Sequence, residues 1–244
     1  MCIRDSDHLR ARSGRIWNRN PRTQHRTPPA NILRQQQGVT RAGRVQNILS
    51  AFQLFVTDEI LYIIVRETNR YAREYFARKA NADEPSKWRD IDIIELKAAI
   101  GLLLHAGREK SGYRTLQEQW APESSPIFRS VLSLNRMRDI LRFMRFDNKI
   151  TRSQRQSQDK FAAFRDVWSM FAQQLPKFYS PGSDITVDEQ LVAFRGRCSF
   201  RQYLPSKPAK YVVKIFWSCD AHTSYPAKAE VYLGKQPQET SRAR

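Results

Sequence analysis

From Phe52 onward, apolar residues recur at three- and four-residue steps, the spacing that is typical of amphipathic α-helices. Thr57 precedes an acidic first turn, which is the arrangement expected at a helix N-terminus. Asp92 and Glu95 have the spacing of a capping box and stand directly before the apolar run 96–104. The pattern therefore predicts one helix that begins after Thr57 and another that begins after Asp92.

Two later segments repeat the helical pattern. Residues 137–144 place apolar side chains at i, i+3, i+4 and i+7, and they are accompanied by Arg136, Arg138, Arg142 and Arg145. These arginines fit either a solvated helix face, which is the commoner case, or a DNA contact. Residues 161–175 repeat the pattern with aromatic side chains, and Pro176 and the pair 181–182 are predicted to end that helix. Residues 51–180 are accordingly predicted to form an all-helical unit.

The periodicity changes to alternation after this unit. Strand patterns cover Asp184 to Val192, Tyr211 to Cys219 and roughly residues 227–233. A connection interrupted by glycine and proline, Gly196 to Lys210, separates the first two strands. Short sequential strands predict an antiparallel meander, and helices followed by strands predict an α+β fold, here with a separate strand-rich domain over 181–244.

The charge balance indicates a polyanionic partner. The 244 residues include 42 Lys plus Arg against 24 Asp plus Glu, which gives a formal net charge of +18 and a pI of about 10.3. A strongly basic protein usually binds nucleic acid, because each neutralised phosphate releases condensed counterions. A merely basic surface, of the kind found on ribosomal-type proteins, is the alternative.

Residues 1–50 differ in composition from the rest of the chain: they are rich in Arg, Gln, Asn and Pro and hold ten Arg against two Asp. Such a segment buries too little apolar surface to offset the entropy of ordering the chain, so we predict a disordered basic arm. The arm would bind nucleic acid, direct nuclear import or act as a solubilising tail. Its first residues, MCIRDS, resemble a translated sequencing adapter, so the alternative is that part of the arm is not native.

The number and spacing of the cysteines argue against a zinc site and against a disulfide framework. Cys2, Cys198 and Cys219 form no CxxC pair and have no histidine at zinc-binding spacing. So few cysteines also argue against a disulfide framework and favour a reducing compartment. No apolar run approaches the roughly 18 residues of a transmembrane helix, and the first residues lack the apolar stretch expected of a secretory signal.

The segment with the clearest chemistry runs from Asp184 to Lys214. Asp188 lies inside a predicted strand, where acidic residues are uncommon. Residues 195–214 include no acidic side chain and six cations: Arg195, Arg197, Arg201, Lys207, Lys210 and Lys214. Interleaved aromatic residues suit stacking on bases beside phosphate contacts. A strand-held carboxylate beside such cations fits two-metal phosphoryl transfer; an exposed Asp188 paired with a neighbouring arginine is the commoner explanation.

The string VDEQLVAFRGRCSFRQYLPSKPAKY, residues 187–211, closely resembles the first catalytic block of piggyBac-type transposases. Three upstream stretches resemble the helical domain of the same family: FQLFVTDEILYIIVRETNRYA, WRDIDIIELKAAIGLLLHAG and MRDILRFMRFDN. The resemblance covers about residues 52–234. Long identities in a loop rich in Gly, Pro and Arg rarely arise from composition, so the catalytic block is a specific signal.

The resemblance implies a cut-and-paste DNA transposase with an RNase H-like catalytic domain. Such an enzyme uses three metal-binding aspartates and Mg²⁺ to hydrolyse DNA and to join the 3′ ends to TTAA targets. By position, Asp188 matches the first aspartate, so it would be a catalytic metal ligand on the first strand. The helical unit would serve dimerisation and DNA binding, the six cations would face transposon-end or target DNA, and the protein would act as a nuclear homodimer.

The chain also departs from the family pattern. The second and third aspartates and a cysteine-rich zinc module lie downstream of Arg244 in the family, and Asp220 matches a non-catalytic position. Val212 and Ser199 stand where the block usually has Gly and Pro. We therefore expect a DNA-binding fragment with the first three strands of an incomplete RNase H-like domain, inactive alone because one carboxylate cannot hold two metal ions. The alternatives are a domesticated, catalytically inactive DNA-binding or dimerisation protein and a decayed gene product.

Overall fold

The computed structural model of the protein describes residues 8–11, 13–18, 36–79 and 88–234. Contacts divide the chain into two compact units, residues 1–36 and residues 37–244, which are described separately. Cys2 and half of the predicted basic arm, 1–50, lie outside the described residues. The helices, the sheet and all of the predicted site residues belong to the second unit.

The first unit contains a short antiparallel hairpin. Strand β1 (His8–Arg10) pairs with strand β2 (Ile16–Asn18). Gly14 closes the turn with a φ of 84°, in the left-handed region that glycine adopts without strain, and its amide donates to the carbonyl of Ala11 at 2.9 Å. The described part of the predicted disordered arm therefore includes regular structure.

The second unit contains eight α-helices within its described residues. They are α1 (Ile48–Phe55), α2 (Asp58–Lys79), α3 (Ile93–Arg108), α4 (Leu116–Gln119), α5 (Pro126–Val131), α6 (Leu134–Phe143), α7 (Lys149–Gln158) and α8 (Arg165–Phe178). Their core contains the fully buried side chains Leu61, Leu96, Phe128, Ile140 and Phe143. Among the described residues no single helix is long and apolar enough to cross a membrane. α1 and most of α2 together reach the required length and apolarity, but the two helices are bent by 70° relative to each other.

The N-termini of α2 and α3 begin at the predicted caps. α2 starts at Asp58, directly after Thr57. The Asp92 carboxylate accepts a hydrogen bond from the amide of Glu95 at 2.7 Å and caps α3. The Glu95 carboxylate does not return this bond to complete a capping box, because the Arg136 guanidinium holds it at 2.6 Å.

α8 differs from its prediction at both ends. Phe161 precedes the helix, which begins at Arg165, because the Asp159 carboxylate accepts a hydrogen bond from the Phe161 amide at 2.9 Å and holds the preceding residues in a turn. Pro176 lies inside the last turn, and the helix continues to Phe178. A proline in the last turn removes only the hydrogen bond that its amide would donate to the carbonyl four residues earlier, so the helix can continue to its end.

The segment directly before α1 packs against the end of α8. Strand β3 (Gly38–Val39) pairs antiparallel with β4 (Tyr179–Ser180), and the Thr40 amide donates to the carbonyl of Phe178 at 3.0 Å. Gly43 allows this close approach, because a Cβ atom there would lie 2.4 Å from the Phe178 carbonyl oxygen. The predicted disorder up to residue 50 is therefore corrected for this segment: backbone pairing with a distant strand holds it, which composition does not show.

The sheet is an antiparallel meander with one added strand. β5 (Ile185–Ala193) pairs with β7 (Tyr211–Asp220) along its whole length, and β7 pairs with β8 (Pro226–Val231). A two-residue strand, β6 (Gln202–Tyr203), pairs with the start of β7. The three predicted strands and their antiparallel order are confirmed, and β6 is too short to be seen in the periodicity.

Asp220, at the end of β7, links the sheet to the chain around it. Its side chain is fully buried. The carboxylate accepts hydrogen bonds from the amide of Gly182 at 2.6 Å, the amide of Thr223 at 2.8 Å and Nε2 of Gln37 at 2.8 Å. These donors, the Gly182 amide first among them, hold the pKa of Asp220 far below its ordinary value. Both oxygens are thereby used by protein donors and not by an open metal site.

Candidate nucleic-acid interface

Asp188 lies in the middle of β5 and is exposed. Its Oδ1 atom accepts a hydrogen bond from the amide of Glu189 at 2.7 Å. Directly opposite lies Trp217, whose ring packs against Trp168 of α8 with centroids 6.1 Å apart and whose indole NH donates to Gln190 at 3.0 Å. Strand pairing and this aromatic contact fix the position of the Asp188 backbone, while the carboxylate stays accessible.

The residues that the structure describes do not complete a metal site around Asp188. Within residues 8–11, 13–18, 36–79 and 88–234, no three His, Cys, Asp or Glu side chains converge on a common point. The adjacent Glu189 alternates to the other face of the sheet and pairs with Lys214 at 2.5 Å. A single carboxylate does not fit a two-metal centre. Asp188 therefore stays a predicted ligand, and no chemical step through a metal follows from these residues.

Residues 194–210, called the basic loop below, fold back onto the start of β7. The amide of Phe194 donates to the carbonyl of Tyr211 at 2.9 Å, and the amide of Leu204 donates to the carbonyl of Lys210 at 2.8 Å. Pairing between β6 and β7 adds to these bonds. The basic loop consequently has a defined backbone, although its composition is typical of an irregular connection.

Two of the six predicted DNA-binding cations have partners within the protein. Arg201 donates to the carbonyl of Arg195 at 3.2 Å and to that of the next residue at 2.9 Å, and its guanidinium lies 4.5 Å from the centre of the Tyr211 ring. Lys214, on β7, pairs with Glu189 at 2.5 Å. Arg201 thus braces the basic loop, and Lys214 is partly neutralised. Their contact with DNA stays a prediction.

The other four predicted cations are available to an external anion. All are exposed, and none of their charged groups contacts an acceptor among the described residues: Arg195, Arg197, Lys207 and Lys210. No acidic residue occurs between positions 190 and 219. A loop that presents several unpaired cations produces a positive potential that attracts polyanions. DNA contact by these four side chains stays a prediction with favourable geometry.

A second basic cluster lies on the helical unit. The Arg145 guanidinium and the Lys149 ammonium lie 3.7 and 4.3 Å from the centre of the Tyr71 ring, and Arg142 donates to the hydroxyl of Tyr75 at 2.6 Å. The hydrogen bond from Lys149 is the main reason that the pKa of Tyr71 is lowered. Sequence spacing shows the two arginines but not the cluster, because the tyrosines lie on α2 and the cations on and after α6.

Arg136 is not part of this cluster, because it has a structural partner. Its guanidinium donates twice to the Glu95 carboxylate at 2.6 Å, and the two side chains are only 13% and 12% exposed. This contact lowers the pKa of Glu95. Neither predicted alternative, a solvated face or a DNA contact, describes Arg136. Arg138 is exposed, as a solvated helix face requires.

Two comparisons with known proteins bear on this arrangement. Residues 49–244 match the family model described as Transposase IS4. A cryo-EM structure of a piggyBac transposase synaptic complex with hairpin DNA resembles this chain with a TM-score of 0.77 and 34% sequence identity. The match covers 85% of this chain and 43% of that transposase chain, so the chain spans less than half the length of the related protein.

Proposed function

This chain belongs to the piggyBac-type transposase family, and we propose that its described residues hold DNA for a cut-and-paste transposition reaction. In this proposal the basic loop and the second basic cluster on the helical unit bind the DNA, and Asp188 supplies one carboxylate of the site that hydrolyses and joins it. The substrates would be transposon ends and a TTAA target, and the active form a nuclear homodimer. The DNA in the related synaptic complex supports DNA as the partner.

One observation carries the proposal: the accessible Asp188 and the unpaired cations of the basic loop lie on a single continuous element. From Asp188, β5 continues to its end at Ala193 and leads directly into the basic loop. The five residue steps of strand from Asp188 to Ala193 span roughly 17 Å, which is about five base-pair steps along one DNA strand. A duplex whose phosphates contact the basic loop would therefore extend past the Asp188 carboxylate.

We propose further that β5, β7 and β8 are the first three strands of an RNase H-like domain and that Asp188 binds Mg²⁺. The antiparallel order of these strands and the central position of Asp188 on the first of them support this assignment. Membership of a DDE-type family implies a divalent metal. Such an ion would supply Lewis acidity toward a phosphate oxygen. Asp188 would contribute one ligand to it.

The protein's own residues would position the DNA before any chemistry. Lys207 and Lys210 would neutralise phosphates, and their contacts carry no sequence information. Arg201 braces the loop that presents them, since it bonds two loop carbonyls. Specificity for an end sequence would then come from other contacts.

The salt dependence of duplex binding tests the proposal. We expect the chain to bind a 20-base-pair duplex with an affinity that falls steeply with salt, since bound cations displace counterions. Replacing Lys207 and Lys210 together by Ala should lower the slope of log affinity against log salt by about 2, because each lost phosphate contact removes about 0.9. Fluorescence anisotropy at four or more salt concentrations measures this slope.

The matched control removes the same charge elsewhere. Lys110 and Arg114 are exposed, and neither forms an ion pair among the described residues, so Lys110→Ala with Arg114→Ala changes net charge equally. We expect this control to leave the slope close to wild type. An equal loss of slope in both double variants would mean that net charge and not the basic loop determines binding.

A further inference from the structure

A cavity of about 720 Å³ lies between the basic loop and the segment that leads into α8. Its walls include four aromatic rings, two from each side: Phe161 and Phe164 from the helical unit, Phe194 and Phe200 from the basic loop. Cavities of this size fall within the roughly 300–1,000 Å³ typical of small-ligand sites. No acidic side chain lines it, and its two charged lining residues are cations.

The two walls differ in rigidity. Phe161 is only 7% exposed and meets the Phe200 ring edge-on with centroids 5.6 Å apart, so the helical side is a packed surface. Phe194 is 39% exposed and lies over Gly196, where a Cβ atom would be 2.6 Å from the ring. Glycine at that position lets the outer end of the Phe194 ring approach the loop backbone, while part of the ring stays exposed to a ligand.

Polar groups at the cavity are unused by the protein itself. Arg197 has no acceptor among the described residues, and the Lys160 ammonium makes only a long 3.4 Å contact with the carbonyl of Leu233. The exposed Gln156 side chain also lacks a hydrogen-bond partner within the described part of the chain. The cavity thus combines aromatic planes, two cations and one free amide.

We propose that this cavity binds a single unpaired nucleotide of the DNA that the basic loop holds. The base would lie against the phenylalanine rings, its phosphate would contact Arg197 and Lys160, and the amide of Gln156 would meet the base edge. Aromatic faces stack on any base, and enzymes that take a base out of a duplex hold it in such a pocket. This inference rests on the proposed function, because it requires DNA to be bound at the basic loop.

A nucleotide fits this chemistry better than an apolar peptide side chain does. An apolar occupant would explain the phenylalanine walls but would make no use of the charges of Arg197 and Lys160. A paired base would not fit, because its edge is occupied by its complement and its faces by its neighbours. Unpaired nucleotides are therefore the predicted ligands, without preference for one base from stacking alone.

Three DNAs test the proposal: a perfect duplex, the same duplex with one extrahelical adenosine, and that bulge with an abasic site in place of the base. We expect the bulged duplex to bind roughly 5- to 100-fold more tightly than the other two, the range that stacking of one base provides. Phe194→Ala should abolish the difference in affinity between the bulged and the perfect duplex, and Phe194→Trp should retain that difference. Tyr113→Ala, which removes a fully exposed aromatic ring on the helical unit, is the control.

Alkylation of wild-type protein gives a second measurement that needs no variant. Cys198 lines the cavity and Cys219 does not. The bulged duplex should slow the reaction of Cys198 with N-ethylmaleimide more than the perfect duplex does, with Cys219 as internal reference. Equal affinity and equal protection by the three DNAs would overturn the cavity assignment and leave the proposed function intact. Failure of all three DNAs to bind would overturn both.

Discussion

Asp188 and Trp217 face each other directly across β5 and β7. Opposed side chains in an antiparallel pair lie about 4.5–5.5 Å apart at Cβ, so the two residues share one local environment. The Trp217 ring packs on Trp168 of α8 with centroids 6.1 Å apart. The position of the predicted metal ligand relative to the helical unit therefore depends on two tryptophans that are not themselves predicted to take part in chemistry.

Substitution of Asp188 should therefore change stability little, whereas substitution of Trp217 should lower it. Asp188→Asn should change the free energy of unfolding by less than about 0.5 kcal/mol, because the side chain is exposed, and should not weaken duplex binding, because it removes a negative charge. Trp217→Ala should destabilise the chain by about 2–4 kcal/mol through lost packing on α8. Urea unfolding followed by far-UV circular dichroism measures both. A stable Trp217→Ala variant would show that the aromatic contact does not hold the sheet.

Two arginines on α6 differ in their predicted contribution to stability: Arg136 has a structural partner and Arg138 is solvated. Arg136→Ala should destabilise the chain by roughly 2–4 kcal/mol, because it leaves the nearly buried Glu95 carboxylate without its main partner. Arg138→Ala, an exposed neighbour, should change stability by less than about 0.5 kcal/mol. A double-mutant cycle with Glu95→Gln isolates the pair. Equal effects of the two arginine variants would refute the structural role.

Asp220 predicts a dependence of stability on pH. Because its pKa is depressed in the folded chain, its contribution is fully present above the ordinary carboxyl pKa of about 3.9 and is lost as pH falls further. Asp220→Asn should lower the melting temperature by several degrees at pH 7, since its amide cannot accept all of the bonds that converge there. From about pH 4 downward the difference in melting temperature between Asp220→Asn and wild type should shrink. A difference in melting temperature that grows as pH falls would contradict the predicted loss of the Asp220 contribution in acid.

Gly43 tests whether the segment before α1 belongs to the fold. Gly43→Ala should destabilise the chain by about 1–3 kcal/mol, because the new Cβ would collide with the Phe178 carbonyl oxygen. Gly101→Ala is the matched control: it lies within α3 with open space around it and should stabilise the chain by up to about 1 kcal/mol. Thermal denaturation compares the two. Tolerance of alanine at both positions would mean that the segment does not pack on α8 in solution.

The sequence predicted helices and strands correctly where neighbouring residues determine them. Thr57 and Asp92 precede helices because side-chain oxygens and acidic residues favour those termini. The alternation after residue 183 correctly predicted three antiparallel strands. By contrast, the start of α8 was predicted too early, since a hydrogen bond from the Phe161 amide to Asp159 holds the preceding residues in a turn.

Features made by distant residues were not predictable in this way. Arg136 looks like any arginine on an amphipathic helix until Glu95, 41 positions earlier, is seen to contact it. The 720 Å³ cavity joins the region around Phe161 to the basic loop, and no spacing rule relates the two. The sequence therefore identifies the cations of the candidate site, whereas the contacts and the cavity around them can be seen only in the folded structure.

The most direct test of DNA binding by the basic loop is lysine footprinting of the wild-type chain. The protein is acetylated briefly with and without excess 20-base-pair duplex, and each lysine is quantified by mass spectrometry. We predict that duplex protects Lys207 and Lys210 strongly while Lys110, on the helical unit, reacts at the same rate in both samples. Equal acetylation of Lys207 and Lys210 with and without bound DNA would contradict the account.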